Sequence, residues 1–268
     1  MGRCKEIEIK VIPASAANPF VRKHHYSGKV VNNSQLHFGA FLDGRLHGVL
    51  SYGPSMDKKK VIGLVRDTGW NEFIELNRMA FDDYLPRNSE SYCIGKTLRM
   101  IKKQAPQIKW VISFADGTQC GDGTIYRASN FVLTGINKNK TIILMPDGSA
   151  VADLTLNLQQ PTTKARYDRM CGLDPSKSYT RNDYIRGGGK VMNGYQLRYI
   201  YFIDKKYRDR LTVPEIPFSK IDEIGAGMYK GENVRRDERH VECEAQIQRK
   251  EVDNERREFN TTQQENKE

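Results

Sequence analysis

Polar and apolar side chains alternate through Glu6-Ile7-Glu8-Ile9-Lys10-Val11-Ile12, which predicts a strand. Pro13 and the small residues after it end that strand. Asn18-Pro19-Phe20-Val21 reads as a helix start, with Asn18 capping and Pro19 in the first helical position. The helix is expected to reach His24-His25-Tyr26, where Ser27-Gly28 stops it. Residues 35–42 and 45–52 flank Asp43-Gly44 as two strands of a hairpin. Residues 56–60 form a charged excursion. A strand follows over 73–81, then a turn-rich segment over 82–88 and a helix over 89–104 with Ile94, Leu98 and Ile101 on its apolar face. Residues 110–116 read as a buried strand ending on Asp116. A glycine-rich loop, 117–123, leads to a short helix over 124–130 and a strand at 131–135. A hairpin about Pro146-Asp147-Gly148 is expected within 138–158, a flexible turn at 187–189 and a final strand at 195–203.

Antiparallel hairpins thus come first and strand–helix–strand units follow. That order predicts an α+β fold with a mixed, mostly antiparallel sheet flanked by helices. A doubly wound dinucleotide fold is disfavoured, because no Gly-x-Gly-x-x-Gly follows the first strand. Length and charge refine the picture. The 268 residues carry 43 Lys and Arg against 33 Asp and Glu. Residues 231–268 hold eight basic and eleven acidic side chains and read as a charged C-terminal helix or disordered tail. The remaining domain, residues 1–230, has a net charge of +13, a balance that favours polyanionic partners such as nucleic acid. No run of eighteen apolar residues exists, so a membrane-spanning helix is not expected. The N-terminus shows no apolar signal region, and the five cysteines are widely spaced without a Cys-x-x-Cys pair. Neither a disulfide scaffold nor a structural zinc site is expected, and a reducing cytoplasm fits best.

Several segments could carry chemistry. Glu75-Leu76-Asn77-Arg78-Met79 delivers the chain to a loop and a helix start, where unpaired N–H groups attract an anion and Arg87 could add a bidentate contact; ordinary helix capping by Ser89 explains the same pattern. Asp116 stands at the end of a strand, where open sheets place ligands, and Tyr126 follows on the short helix. His25 could act as a base or a metal ligand. An iron site drawing on His25, Asp116 and Glu75 would depend on tertiary placement, since no local spacing supports it. Cys93 and Cys120 have no neighbour that would activate a thiol.

His25-Tyr26-Ser27-Gly28, Glu75-Leu76-Asn77-Arg78-Met79, residues 85–91, Ile112-Ser113-Phe114-Ala115-Asp116, residues 123–129 and residues 194–202 together resemble the Mom family of phage DNA adenine-modification proteins. The resemblance spans about residues 5 to 230 and implies a fold similar to GNAT-type acyltransferases. Where such enzymes carry Arg/Gln-x-x-Gly-x-Gly/Ala, this chain has Arg87-Asn88-Ser89-Glu90-Ser91-Tyr92-Cys93. The resemblance implies conversion of adenine in double-stranded DNA to a carbamoylmethyl adenine on its exocyclic amine, which protects phage DNA from host restriction. It carries over His25, Tyr26, Asp116 and Tyr126 as catalytic residues, with His25 and Asp116 as candidate ligands of an iron ion. Arg87, Asn88, Ser89 and Ser91 are the donor-binding candidates. The donor is left open between an acyl-coenzyme-A-like molecule and a glycine-derived group, and a homodimer is allowed. Arg22, Lys23, Lys58, Lys59 and Lys60 are the candidate phosphate contacts. The rival readings are an N-acyltransferase acting on a protein or small-molecule amine, and a basic DNA-binding protein without catalysis.

Overall fold

The computed structural model describes residues 3–118, 121–156, 161–229 and 232–233. The chain runs through β1 (Glu8–Ile12), α1 (Ala14–His24), β2 (Leu36–Leu42), β3 (Arg45–Gly53), α2 (Lys58–Ile62), β4 (Phe73–Phe81), α3 (Ser89–Gln104), β5 (Trp110–Asp116), α4 (Thr124–Ala128) and β6 (Val132–Lys138). It continues through β7 (Ile142–Leu144), β8 (Ala150–Ala152), α5 (Asp153–Leu156), α6 (Pro161–Met170), α7 (Arg181–Arg186), β9 (Lys190–Val191) and β10 (Tyr195–Phe202). Last come α8 (Ser219–Glu223), β11 (Met228–Tyr229) and β12 (Glu232–Asn233). The strand at 195–202 is therefore not the final one: β11 pairs antiparallel with β12. Beyond β12, the expected charged tail lies outside the described residues.

Two compact units emerge, one from residues 1–115, 123–135 and 197–220, the other from 116–122, 136–196 and 221–268. A seven-stranded sheet in the order β1-β2-β3-β4-β5-β10-β6 organises the first. The pairs β1–β2, β2–β3 and β3–β4 are antiparallel and β4–β5 is parallel, giving the mixed α+β architecture expected. Asp43 and Gly44 turn β2 into β3 with φ of 51° and 76°, the left-handed pair that a two-residue hairpin turn requires.

Apolar burial fixes the helices on this sheet. On α3, Cys93, Ile94, Thr97, Leu98 and Ile101 are buried, a stripe at helical spacing. Thr97 Oγ1 lies 2.7 Å from the Tyr52 hydroxyl of β3, so this buried face also satisfies the tyrosine. Helix α1 starts at Ala14, with Pro13 as its cap, five residues before the expected start. Pro19 sits inside the helix instead of opening it. The longer helix lets Ala17 and Val21, one turn apart, pack with Val49 and Ala80. The carbonyl that Pro19 cannot bond belongs to exposed Ser15, where water can reach it. Residues 56–60 are also more ordered than a charged excursion. Asp57 Oδ1 accepts from Lys60 N–H at 3.4 Å to start α2, and Val61 joins a core with Phe73, Trp110 and Ile112.

The second unit has its own three-stranded sheet, in the order β8-β7-β9, with the expected hairpin as β7–β8. Ile143, Met145, Val151, Leu156, Cys171 and Tyr184 form its core. Asp168 is fully buried there, and its carboxylate accepts from the Tyr184 hydroxyl at 2.8 Å and from the Lys164 ammonium. Pairing of this kind is what a carboxylate needs to stay charged out of water.

Candidate active site

Strands β4 and β5 pair over Phe73–Trp110, Ile74–Val111 and Glu75–Ile112, and the register stops there. Both strands run on, β4 to Phe81 and β5 to Asp116. Beyond Glu75 the sheet opens as a fork. One side chain bridges its start: Ser113 Oγ lies 3.1 Å from Leu76 O and 2.8 Å from the Tyr126 hydroxyl. A serine hydroxyl has one proton, and a carbonyl can only accept. With the serine proton on Leu76 O, Tyr126 is the donor to Ser113. If Tyr126 loses its proton, Ser113 can turn and donate to the phenolate.

Helix α4 holds Tyr126 in place. Its ring stacks on Tyr199 with centroids 5.1 Å apart and meets Phe131 at 5.4 Å. Gly123 precedes α4 with φ of 72°, and a Cβ there would lie 2.4 Å from the Tyr199 ring. No L side chain fits that backbone and that contact together. Gly123→Ala is therefore expected to lower stability by about 1–3 kcal/mol and to disturb the aromatic stack. Thermal melts together with near-ultraviolet circular dichroism would read both effects, and wild-type values would show that the contact relaxes freely.

Glu75 stands at the root of the fork. Burial pushes its carboxyl above the ordinary glutamate range, while Ser55, Asn77 and the Arg78 charge hold it partly back. Burial likewise raises the Tyr126 phenol, opposed by Ser113; the Glu75 charge raises it further and Arg78 lowers it. Arg78 is fixed by donating from Nε to Lys29 O at 3.1 Å and from Nη1 to Asn77 O at 3.1 Å. Burial, with Arg78 second, lowers the Lys29 ammonium. A glutamate of raised basicity beside a relayed phenol can take a proton from a weakly acidic amine.

The sequence candidates fall in several places. His25 caps the C-terminus of α1, its Nδ1 accepting from Ser27 N–H at 3.1 Å and lying 2.8 Å from Ser27 Oγ. Its ring stands 4.3 Å from that of Tyr26, which is 43% exposed. Asp116 belongs to the second unit, where Oδ1 accepts from Thr118 N–H at 3.0 Å. Asn88 caps α3 in a left-handed conformation, φ 70°, without a side-chain hydrogen bond. Ser89, the expected cap, is 1% exposed and donates to Pro86 O at 2.5 Å. Its hydroxyl serves the helix start. Ser91 donates to Asn88 O at 3.1 Å, and exposed Arg87 lends its carbonyl to Cys4 Sγ at 3.3 Å. Arg22 and Lys23 are exposed in the last turn of α1. Lys59 and Lys60 are exposed too, whereas the Lys58 ammonium lies over the Trp70 ring at 4.5 Å.

Among the described residues, no group of three or more His, Cys, Asp or Glu side chains could hold a metal ion. An iron site of the expected kind thus lacks a ligand set there. Burial pushes the Cys93 thiol up to about 12, in keeping with an inert cysteine. The pairing of Ser113 with Tyr126, and the placement of Glu75 beside them, had no local signature, because their strands meet only through the fold.

The Mom protein family matches residues 6–220. Methylcarbamoylase Mom of Escherichia phage Mu is 34% identical over 212 residues, spanning 78% of this chain and 80% of that protein. Among solved structures, the ribosomal-protein-S18-alanine N-acetyltransferase of Escherichia coli aligns over 74% of this chain and 94% of its own, at 10% identity and a TM-score of 0.41. An N-acetyltransferase of Staphylococcus aureus Mu50 aligns over 74% and 98%, at 9% identity and 0.40. Both structural likenesses are remote.

Proposed function

Because the chain belongs to the Mom family, we propose that it is a transferase that places a carbamoylmethyl group on the exocyclic amine of adenine in double-stranded DNA. The 34% identity across four-fifths of a methylcarbamoylase carries this reading. The site chemistry supports it. An adenine amine is buried in its base pair and delocalises its lone pair into the ring, so the base must swing out and lose a proton as the new bond forms. Glu75 is the proton acceptor in this reading, with Tyr126 and Ser113 as a relay beside it. His25 stays a catalytic candidate of this unit, and exposed Tyr26 offers a stacking face for the displaced base; Asp116 stays a separate candidate on the second unit. Arg87, Asn88 and Ser91 stay the donor side, and Arg22, Lys23, Lys59 and Lys60 meet phosphates.

Mass spectrometry of nucleosides from cells expressing the protein tests the reading. A modified deoxyadenosine is expected with the wild type, and roughly 10²-fold less of it with Tyr126→Phe. Unmodified adenine with any donor would reject DNA modification, and acylated proteins in the same cells would favour the amine acyltransferase.

A further inference from the structure

The loop between α2 and β4 is pinned along its length. Thr68 Oγ1 donates to Val65 O at 2.8 Å and accepts from Trp110 Nε1 at 3.2 Å. Glu72 Oε2 accepts from Gly69 N–H at 2.7 Å and from the Tyr207 hydroxyl at 3.1 Å, and Glu72 N–H donates back to Gly69 O at 3.0 Å. Arg66 N–H donates to Arg210 O at 2.9 Å, which ties the loop to residues 204–211. Yet this fixed loop displays Trp70, 51% exposed. The Lys58 ammonium lies 4.5 Å from the centre of its ring and 5.5 Å from that of Phe73, which in turn stacks on Trp110. One side of the indole is therefore backed by the core through a cation, and the rest faces water.

A lone exposed apolar side chain is ordinary. A large aromatic held rigid in solvent differs, because its ordering cost is met before any partner arrives. The surrounding charge says which partner. Residues 56–72 and 204–211 carry eight basic and five acidic side chains. Three of the acids are turned onto the protein's own donors: Asp57 takes Lys60 N–H, Asp204 takes Lys206 N–H, and Glu72 is held as above. Lys59, Lys60 and Arg66 are exposed. Cations round an open aromatic face fit a nucleic-acid chain, which offers phosphates and flat bases together. We infer that Trp70 is a base-stacking wedge that fills the gap left in a duplex when a base swings out, with Lys59, Lys60 and Arg66 on the flanking phosphates. The inference rests on the DNA-adenine reading and adds how the opened duplex is held. Extrusion costs the stacking of a base on its neighbours. An indole laid in the gap gives those neighbours a face to stack on again, whatever their sequence.

The test uses the full chain, whose other tryptophan, Trp110, is fully buried, so quenching of fluorescence by acrylamide reads Trp70. The protein is titrated with a short duplex carrying one abasic site and with the same duplex intact. The abasic duplex should bind more tightly and shield Trp70 from acrylamide. Trp70→Ala should weaken binding of the abasic duplex by roughly tenfold to a hundredfold, and Trp70→Phe should recover part of that loss. Arg66→Ala should instead weaken both duplexes alike and reduce the salt slope by about one. The acrylamide reading on the wild type carries the test if the Ala variant does not fold. Binding that leaves Trp70 open to acrylamide, or a Trp70→Ala variant with wild-type affinity, overturns the wedge. So does a Trp70→Ala variant that turns a sedimenting dimer into monomers with DNA affinity intact, which would give this face to a second copy of the chain. A wild type that binds neither duplex rejects the DNA-adenine reading, and the wedge with it.

Discussion

Glu75→Gln should lower adenine modification by about 10²–10⁴-fold while making the protein more resistant to heat near neutral pH. The first effect follows from removing the proton acceptor and keeping its shape. The second follows from linkage. Burial raises the folded-state pKa of Glu75 above its unfolded value. Below the unfolded value both states are protonated, and the carboxyl has no cost. As pH rises between the two values the unfolded chain ionises first, so stability falls, and the loss is complete above the folded value. The Gln variant escapes that loss. Its melting temperature should match the wild type in acid and exceed it at neutral pH, and the acid limb of the wild-type rate profile should lie above the usual glutamate range. Full activity in the variant would remove Glu75 from the mechanism. A lower melting temperature at neutral pH would mean that Arg78 stabilises the carboxylate more than burial disfavours it.

Trp110→Ala should cost about 3–5 kcal/mol, a large part of the roughly 5–15 kcal/mol that holds a domain together. Trp110 is fully buried and stacks on Phe73 with centroids 4.4 Å apart and planes 6° from parallel. Its Nε1 donates to Thr68 Oγ1 at 3.2 Å, so the substitution leaves a cavity and removes one of the two hydrogen bonds of that hydroxyl, which still donates to Val65 O at 2.8 Å. The same two residues form the first β4–β5 pair, so the damage falls at the foot of the fork. Urea unfolding would measure the cost, and a loss under about 1 kcal/mol would show that neighbours collapse into the space.

The strand at 73–81, the helix at 89–104 and the strand at 110–116 were legible to the residue, because each combines a strong apolar pattern with a clear stop such as Pro106. Local signals misled where burial outweighed them. Asn18-Pro19 has the chemistry of a helix start, yet packing of Ala17 draws the helix back to Ala14. Ser89 has the chemistry of a cap, yet it is buried one position inside the helix. Helices α6 and α7 lacked a decisive apolar stripe and had no sequence expectation at all. In the site, Tyr126 could be named because it sits on a short helix after a strand end. Ser113 could not, because its importance comes from where β5 lies against β4 and α4.

The fork also bears on how this sheet coheres. Past Glu75 and Ile112 no β4–β5 ladder joins the halves, so the Phe73–Trp110 stack and the Ser113 bridge must do much of the holding. Amide protons of β4 and β5 that face the gap should therefore exchange with solvent faster than those of the three paired positions at its foot.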